Sequence, residues 1–275
     1  MKETLQVIRK GKGRVKLVAG GTNVIPDMRA KTIKPAVLID ISHLKNLSYI
    51  KEDKKKIRIG GLTTVSELAS SKMVQKYAPI LSEAAQQLGN PLVRNRATIA
   101  GNLADASPAA DTAVPLLSLE GLVVTERDGG KQRQIPIDQF FTGPNKTVLK
   151  KGELIKEIIF SKPNSNTRMG YLKLGLRNAM AISVVSLAIL MEMEKGKCKE
   201  ARVSLGAVAP TPIRAYGTEE MLEGKEITQE RVEICSKEVS KEVSPISDIR
   251  ASAEYRREMT SVLLRRLIQQ IAIGR

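Results

Sequence analysis

Between residues 97 and 111 the chain reads Ala-Thr-Ile-Ala-Gly-Asn-Leu-Ala-Asp-Ala-Ser-Pro-Ala-Ala-Asp. Backbone with so few bulky side chains can run close to another surface, and it packs well only where something else supplies the volume. Thr98, Asn102, Asp105, Ser107 and Asp111 place polar groups in this otherwise apolar stretch. A pocket wall for a bulky ligand has that make-up, and so does a tightly packed loop between a helix and a strand. The residues alone leave both open.

A second small-residue segment lies nearer the N-terminus. The apolar residues 15–18 run into Ala19-Gly20-Gly21, which reads as a strand entering a tight turn. Adjacent glycines allow several N–H groups to converge on one concavity suited to phosphate oxygens, with Thr22 and Asn23 as further donors. The alternative is a plain structural turn. The pattern matches neither the dinucleotide fingerprint GxGxxG nor the P-loop.

Around these segments the pattern is mixed α and β. Residues 2–9 read as a short helix, and 36–41 and 56–60 as strands. Residues 64–77 have helical spacing. Pro79 opens a further helix with Ile80, Leu81, Ala84, Ala85 and Leu88 on one stripe before Gly89. Residues 116–125 and 132–137 read as strands joined by a hairpin at Asp128-Gly129-Gly130, and 153–160 as another strand. The polar, turn-rich residues 163–168 mark the best domain boundary. Beyond it, 171–176 and 201–208 read as strands and 183–194 as an apolar strand or buried helix. Residues 230–243 and 253–273 read as amphipathic helices, the last presenting Tyr255, Met259, Val262, Leu263 and Leu267 on one face.

Composition narrows the chemistry. Two cysteines and one histidine in 275 residues rule against a zinc site, an iron–sulfur cluster or a multi-histidine metal centre held by this chain alone, so no metal ligands are assigned. His43 follows an apolar run and reads as a structural or surface residue. Two thiols fit a reducing compartment. Residues 1–16 contain no apolar core of a signal peptide, and the apolar stretch 179–193 is interrupted by Ser183 and Ser186, so a cytoplasmic location with no membrane contact is expected. The formal net charge is +16, and residues 1–60 supply 15 basic against 5 acidic side chains. That excess raises nucleic acid as a partner. With no Trp, three Phe and five Tyr there are few stacking groups, and no compact basic recognition helix is evident, so no nucleic-acid partner is assigned.

Taken together, LVAGGTNVIPDM, RNRATIAGNLADASPAADT, YLKLGLRNAMAISVVSLA and DIRASAEYRREMTSVLLRRLI resemble the flavoprotein component of the molybdenum hydroxylases. These are the medium subunits of the xanthine dehydrogenases and carbon monoxide dehydrogenases. The resemblance spans nearly the whole chain. It implies an α+β fold: an FAD-binding domain of the vanillyl-alcohol-oxidase (PCMH) type in two α/β subdomains, then a smaller C-terminal α+β domain. The expected division is 1–165, with subdomains of about 1–55 and 56–165, and 166–275.

By this resemblance Leu17, Val18, Ala19, Gly20, Gly21, Thr22, Asn23 and Val24 would wrap the FAD pyrophosphate. Thr98, Gly101 and Asn102 would form a second cradle. Ser107 and Asp111 would hold the adenine ribose or the loop that shapes it. Lys173 matches a family lysine near the flavin ring, where a positive charge would offset the charge gained on reduction; a solvated strand lysine is the other reading. Leu88 falls where some members carry an aromatic residue against the ring. No side chain is expected to act as nucleophile or general base. Two departures stand out: Ala181 replaces the common Asp of the pattern RxAxDIAxV, and the usual strand and Pro-containing turn before the first helix are missing. The four-cysteine insertion of some reductase relatives is absent.

The implied function is an electron-transfer subunit of a heteromeric complex. It would take electrons from a [2Fe–2S] subunit, whose donor is a large molybdopterin subunit, and pass them through FAD to NAD, with a purine such as xanthine as substrate. A flavin-dependent oxidoreductase acting alone is the alternative.

Overall fold

A computed structural model describes residues 2–10 and 15–273. The N-terminal unit begins with α1 (Lys2–Lys10), β1 (Val15–Val18), α2 (Val24–Arg29) and β2 (Val37–Asp40). The two strands pair in parallel, Val15 opposite Val37 and Val18 opposite Asp40. Parallel pairing requires a crossover, and here the crossover contains the turn at 19–23 and α2. Leu5 and Ile8 of α1 close a small core with Ile41, Leu44, Leu47, Leu62 and Leu154.

The next unit starts with β3 (Ile50–Asp53) and β4 (Lys56–Gly60), an antiparallel hairpin. The small parallel unit therefore closes before residue 50, earlier than the expected division near 55. In β4 the period-two pattern buries Ile57 and Ile59 completely. The helices α3 (Val65–Ser70), α4 (Lys72–Tyr77), α5 (Pro79–Gln87), α6 (Pro91–Arg94), α7 (Ile99–Asp105) and α8 (Ala113–Ser118) follow. Then come β5 (Leu122–Arg127), β6 (Lys131–Pro136), the short pair β7 (Phe141–Gly143) and β8 (Lys146–Thr147), and β9 (Leu154–Ser161). Five of these strands form one antiparallel sheet in the order β3-β4-β9-β5-β6.

Two expectations fail here for local reasons. The single helix over 64–77 is two helices, because Ser71 adopts an extended conformation and its hydroxyl caps α4 by accepting from the Val74 N–H at 3.3 Å. The expected strand over 116–125 begins only at Leu122, because 116–118 end a helix. Residues 113–118 are completely buried and carry Pro115 in the first turn, where its missing N–H costs nothing; Glu120 at φ +50 then ends the turn before β5. A short buried apolar run has no period to separate helix from strand.

The C-terminal unit is a second antiparallel sheet in the order β10 (Thr167–Leu174), β11 (Val185–Glu194), β12 (Lys197–Gly206), β13 (Ile213–Arg214). Residues 183–194 thus resolve as strand. The turn-rich residues 163–168 lie between the last strand of the five-stranded sheet and the first of this one. The helices α9 (Tyr216–Leu222), α10 (Gln229–Val239) and α11 (Ala253–Ile268) complete the unit. Helix α8 packs against β11 and β12, and α5 against β10, so the two sheets share helices rather than standing apart. Cys198 and Cys235 are buried in the C-terminal core, and burial pushes both thiols up, to about 12 and about 11. His43 is exposed.

Helix α11 buries a different face from the expected one. Arg256, Thr260, Leu263, Leu264, Leu267 and Ile268 point inward, Met259 and Val262 are half-buried, and Tyr255 is 44% exposed. An arginine sits on the buried face because three oxygens meet its two terminal nitrogens, while its Nε is left without a partner among the described residues. Its guanidinium donates to the Val184 and Ala207 carbonyls at 2.8 and 3.1 Å and to Asp248 at 2.8 Å. Burial raises the Asp248 carboxyl, but hydrogen bonds from Arg250 and the charges of Arg256 and Arg250 outweigh it and hold the group far below the usual carboxylate range. A carboxyl held low in the folded state stabilises at any pH above its unfolded value near 4 and loses that contribution as pH falls further. Asp248→Asn is expected to cost about 2 kcal/mol at neutral pH and to flatten the acid limb of the stability curve. Urea unfolding from neutral pH down to about pH 3 measures both effects.

Candidate cofactor cleft

The two small-residue segments meet as backbones. A Cβ placed on Gly20 would lie 1.8 Å from the Arg96 carbonyl oxygen, so the turn after β1 rests directly on residues 96–97 and only glycine fits. Gly21 adopts φ +74, the left-handed region that glycine enters without strain. Among the described residues no protein acceptor faces the N–H groups of Gly20, Gly21, Thr22 or Asn23. A stretch of unsatisfied donors beside a cleft needs acceptors from outside the chain.

That cleft, with the solvent space at its mouth included, measures about 1040 Å³. One wall is Leu17, Ala19, Gly20, Gly21, Thr22, Asn23 and Val24. The opposite wall comes from α5 to α7, with Leu88, Val93, Thr98, Ala100, Gly101 and Asn102. This wall differs chemically from the first. Ile99 and Ala100 donate their N–H groups to the Thr63 and Gly61 carbonyls, and Gly101 donates to the Thr98 hydroxyl, which caps α7. The second segment therefore presents small surface and side-chain polar atoms, not free amides. Asn102 accepts from the Thr112 hydroxyl at 2.6 Å through Oδ1.

The floor is the part that sequence reasoning missed: Ile41, Leu62, Leu149, Glu153, Leu154 and Ile155, with Lys16 and Asp105 also on the lining. A carboxylate here would oppose an anionic ligand. Glu153 is 8% exposed, and Arg133 engages it at both oxygens, at 2.8 and 2.7 Å, while the Lys150 N–H donates at 2.9 Å. Burial raises the carboxyl, but these donors outweigh that and its net shift is downward, so it remains an ion neutralised by Arg133.

Four expected residues lie outside the lining. Val18 is the last residue of β1, with its side chain beside Gly21. Ser107 accepts from the Ala109 N–H within its own loop. Asp111 and Lys173 form a buried ion pair at 2.7 Å, their side chains 9% and 5% exposed. Ser183 also donates to Asp111 at 2.8 Å and Tyr171 at 3.4 Å, and Lys173 donates to the Gln87 carbonyl at 3.2 Å. Burial pushes the Asp111 carboxyl up, against the pull of Lys173 and the two hydroxyls. Lys173 is thus neither a solvated strand lysine nor on the cleft lining. It joins β10 to the end of α5, one residue before Leu88. In the family pattern RxAxDIAxV an alanine stands where this chain has Ser183, whose hydroxyl feeds the same carboxylate. Ala181 packs against Gly175.

Comparison with known proteins bears directly on this cleft. Residues 1–163 match the family model described as the FAD binding domain in molybdopterin dehydrogenase, and residues 170–271 match the CO dehydrogenase flavoprotein C-terminal domain. The chain belongs to the FAD-binding subunits of the molybdenum hydroxylases. Its relatives include the glyceraldehyde dehydrogenase medium chain of Sulfolobus acidocaldarius, 29% identical over 99% of this chain and 95% of the relative. The carbon monoxide dehydrogenase medium chain of Hydrogenophaga pseudoflava is 32% identical over 92% and 88%. The solved carbon monoxide dehydrogenase of Hydrogenophaga pseudoflava superposes with a TM-score of 0.95 at 31% identity, covering 99% of this chain and 94% of that one. The free amides at 20–23, opposite a wall of small side chains, fit the pyrophosphate of a flavin dinucleotide.

Two variants test this construction. Gly20→Ala must push the 19–23 turn off residues 96–97, and flavin content, read from the visible-to-protein absorbance ratio, is expected to fall at least tenfold with the circular dichroism spectrum retained. Lys173→Met leaves the buried Asp111 carboxylate with only the Ser183 and Tyr171 hydroxyls and no counter-charge, and is expected to cost about 3–5 kcal/mol in urea unfolding.

Proposed function

We propose that Gly20, Gly21, Thr22 and Asn23 hold the FAD pyrophosphate through their backbone N–H groups. Thr98, Gly101 and Asn102 form the facing wall, and Leu88 packs against the ring system. The free donor row carries this reading: among the described residues the N–H groups of Gly20, Gly21, Thr22 and Asn23 have no protein acceptor, and these four residues line the cleft in a chain of this family. Val18 supports the turn, and Leu17, Ala19 and Val24 supply apolar contact. Asp111 and Lys173 act one step back. Their ion pair fixes the end of α5, and hence Leu88, to strand β10. Ser107 shapes the loop between Asn102 and Asp111. The working division is a cofactor domain at 1–165 and a C-terminal domain at 166–275, joined by this pair.

Bound in this cleft, FAD supplies the exchange between one-electron and two-electron transfer. The chain contributes position, exclusion of water and a neutralised floor, since Glu153 is compensated by Arg133. Relatives are named as medium chains and FAD-binding subunits, which supports a place in a heteromeric enzyme beside a [2Fe–2S] subunit and a large molybdopterin subunit. NAD is the proposed electron acceptor, a purine such as xanthine the proposed substrate of the assembly, and the cytoplasm its proposed location. Identities of 29–32% to relatives named for glyceraldehyde, nicotine, carbon monoxide and xanthine do not sort the substrate, whose pocket would lie on another chain. Among the described residues no helix is long and apolar enough to cross a membrane.

The purified chain is expected to carry one FAD. With its partner subunits it is expected to reduce NAD at the expense of xanthine or hypoxanthine. A colourless protein that takes up no added FAD overturns the cofactor reading. Turnover of another heterocycle or aldehyde, with purines inert, overturns the substrate alone. Turnover by the isolated flavoprotein without partners supports the stand-alone alternative.

A further inference from the structure

A second concavity of about 500 Å³ lies at the far end of the five-stranded sheet, lined by Arg127, Asp128, Lys131, Lys151 and Gly152. Arg127 ends β5 and Lys131 begins β6, and the two stand directly opposite in the ladder. Like charges facing each other across a hairpin repel. An edge lysine such as Lys131 by itself discourages pairing with a stray strand. That does not explain Arg127 facing it, nor a third cation from outside the hairpin. Lys151 comes from the loop before β9, where Gly152 at φ +87 turns the chain. Among the described residues Asp128 is the one carboxylate on the lining, and its Oδ1 accepts from the Gly129 N–H at 3.0 Å within the turn. Three cations from two separate segments thus surround one small hollow.

We propose that this hollow binds the phosphate chain of a small molecule, a diphosphate or triphosphate. A planar guanidinium between two ammonium groups offers several donors to tetrahedral oxygens and relieves the repulsion between Arg127 and Lys131. The concave shape and modest volume favour a small anion over an acidic protein surface. The site stands apart from the flavin cleft and yet adjoins it. Lys151 and Gly152 immediately precede Glu153, Leu154 and Ile155 of the cleft floor, and the Lys150 N–H already donates to Glu153. An anion held at Lys151 therefore sits next in sequence to the segment that forms the floor.

The test is calorimetric titration of the FAD-saturated protein at low salt with inorganic pyrophosphate and, separately, with ADP. Saturating the cleft keeps its free amides from competing. Binding of one pyrophosphate per chain is expected, at least tenfold weaker in Lys131→Gln/Lys151→Gln and unchanged in Lys72→Gln/Lys237→Gln, a charge-matched pair of exposed lysines elsewhere. ADP binding tenfold more tightly than pyrophosphate assigns a nucleotide; equal affinities assign recognition of the phosphate chain alone. Absence of binding by both probes overturns the proposal. So does equal weakening in the two double variants, which would assign the effect to the general positive field. Binding of a polyglutamate peptide where pyrophosphate fails overturns it in favour of a protein-docking surface. Neither lysine pair lines the flavin cleft, so the comparison between variants stands whether or not the chain retains FAD.

Discussion

The ion pair between Asp111 and Lys173 is the constraint on which the arrangement of this molecule depends. Asp111 follows the segment that forms one wall of the cleft, and Lys173 lies on the first strand of the C-terminal sheet. Charges this buried are tolerated only when every partner is in place. Tyr171, Ser183 and the Gln87 carbonyl complete the set, so four stretches of chain, at 87, 111, 171–173 and 183, meet at the pair. The C-terminal unit is for that reason more than an appendage. Its Lys173 is bonded to the end of the helix that precedes Leu88, a residue of the cleft wall.

Within the cleft, charge and hydrogen bonding are divided by wall. The turn after β1 has donors with no use inside the protein, whereas the facing helix has already committed its first N–H groups to Thr63, Gly61 and Thr98. The single acidic group on the floor is held ionised but cancelled by Arg133. The net result is a cleft with unused backbone donors on one side and small, partly apolar side chains on the other, with Lys16 and Asp105 as further charged groups on its lining.

Much of this was legible from residues. The Gly20-Gly21 turn and the 97–111 segment announced themselves by what they lack, since small residues mark where backbones approach. Their mutual contact was not legible, because nothing in either segment encodes the proximity of Gly20 to Arg96. The floor at 149–155 was missed because apolar residues entering a buried strand look the same whether they face a core or a ligand. Arg256 was absent from the expected inward face of the last helix, since an arginine carries no sign of burial until its partners, two carbonyls and Asp248, are known. Residues 116–118 were misread as strand because a fully buried short run erases the periodicity on which the distinction rests. Lys173 was placed by family resemblance near the flavin ring; its buried pairing with Asp111 was not legible, because no spacing links positions 111 and 173.

The contact between Gly20 and the backbone at 96–97 also has a temporal meaning. The cleft draws its surface from residue 16 to residue 155, and its bracing reaches residue 173. During synthesis the turn with the free amides emerges early, long before the surfaces it faces. A product that ends before residue 155 lacks part of the lining, and one that ends before residue 173 lacks the bracing pair.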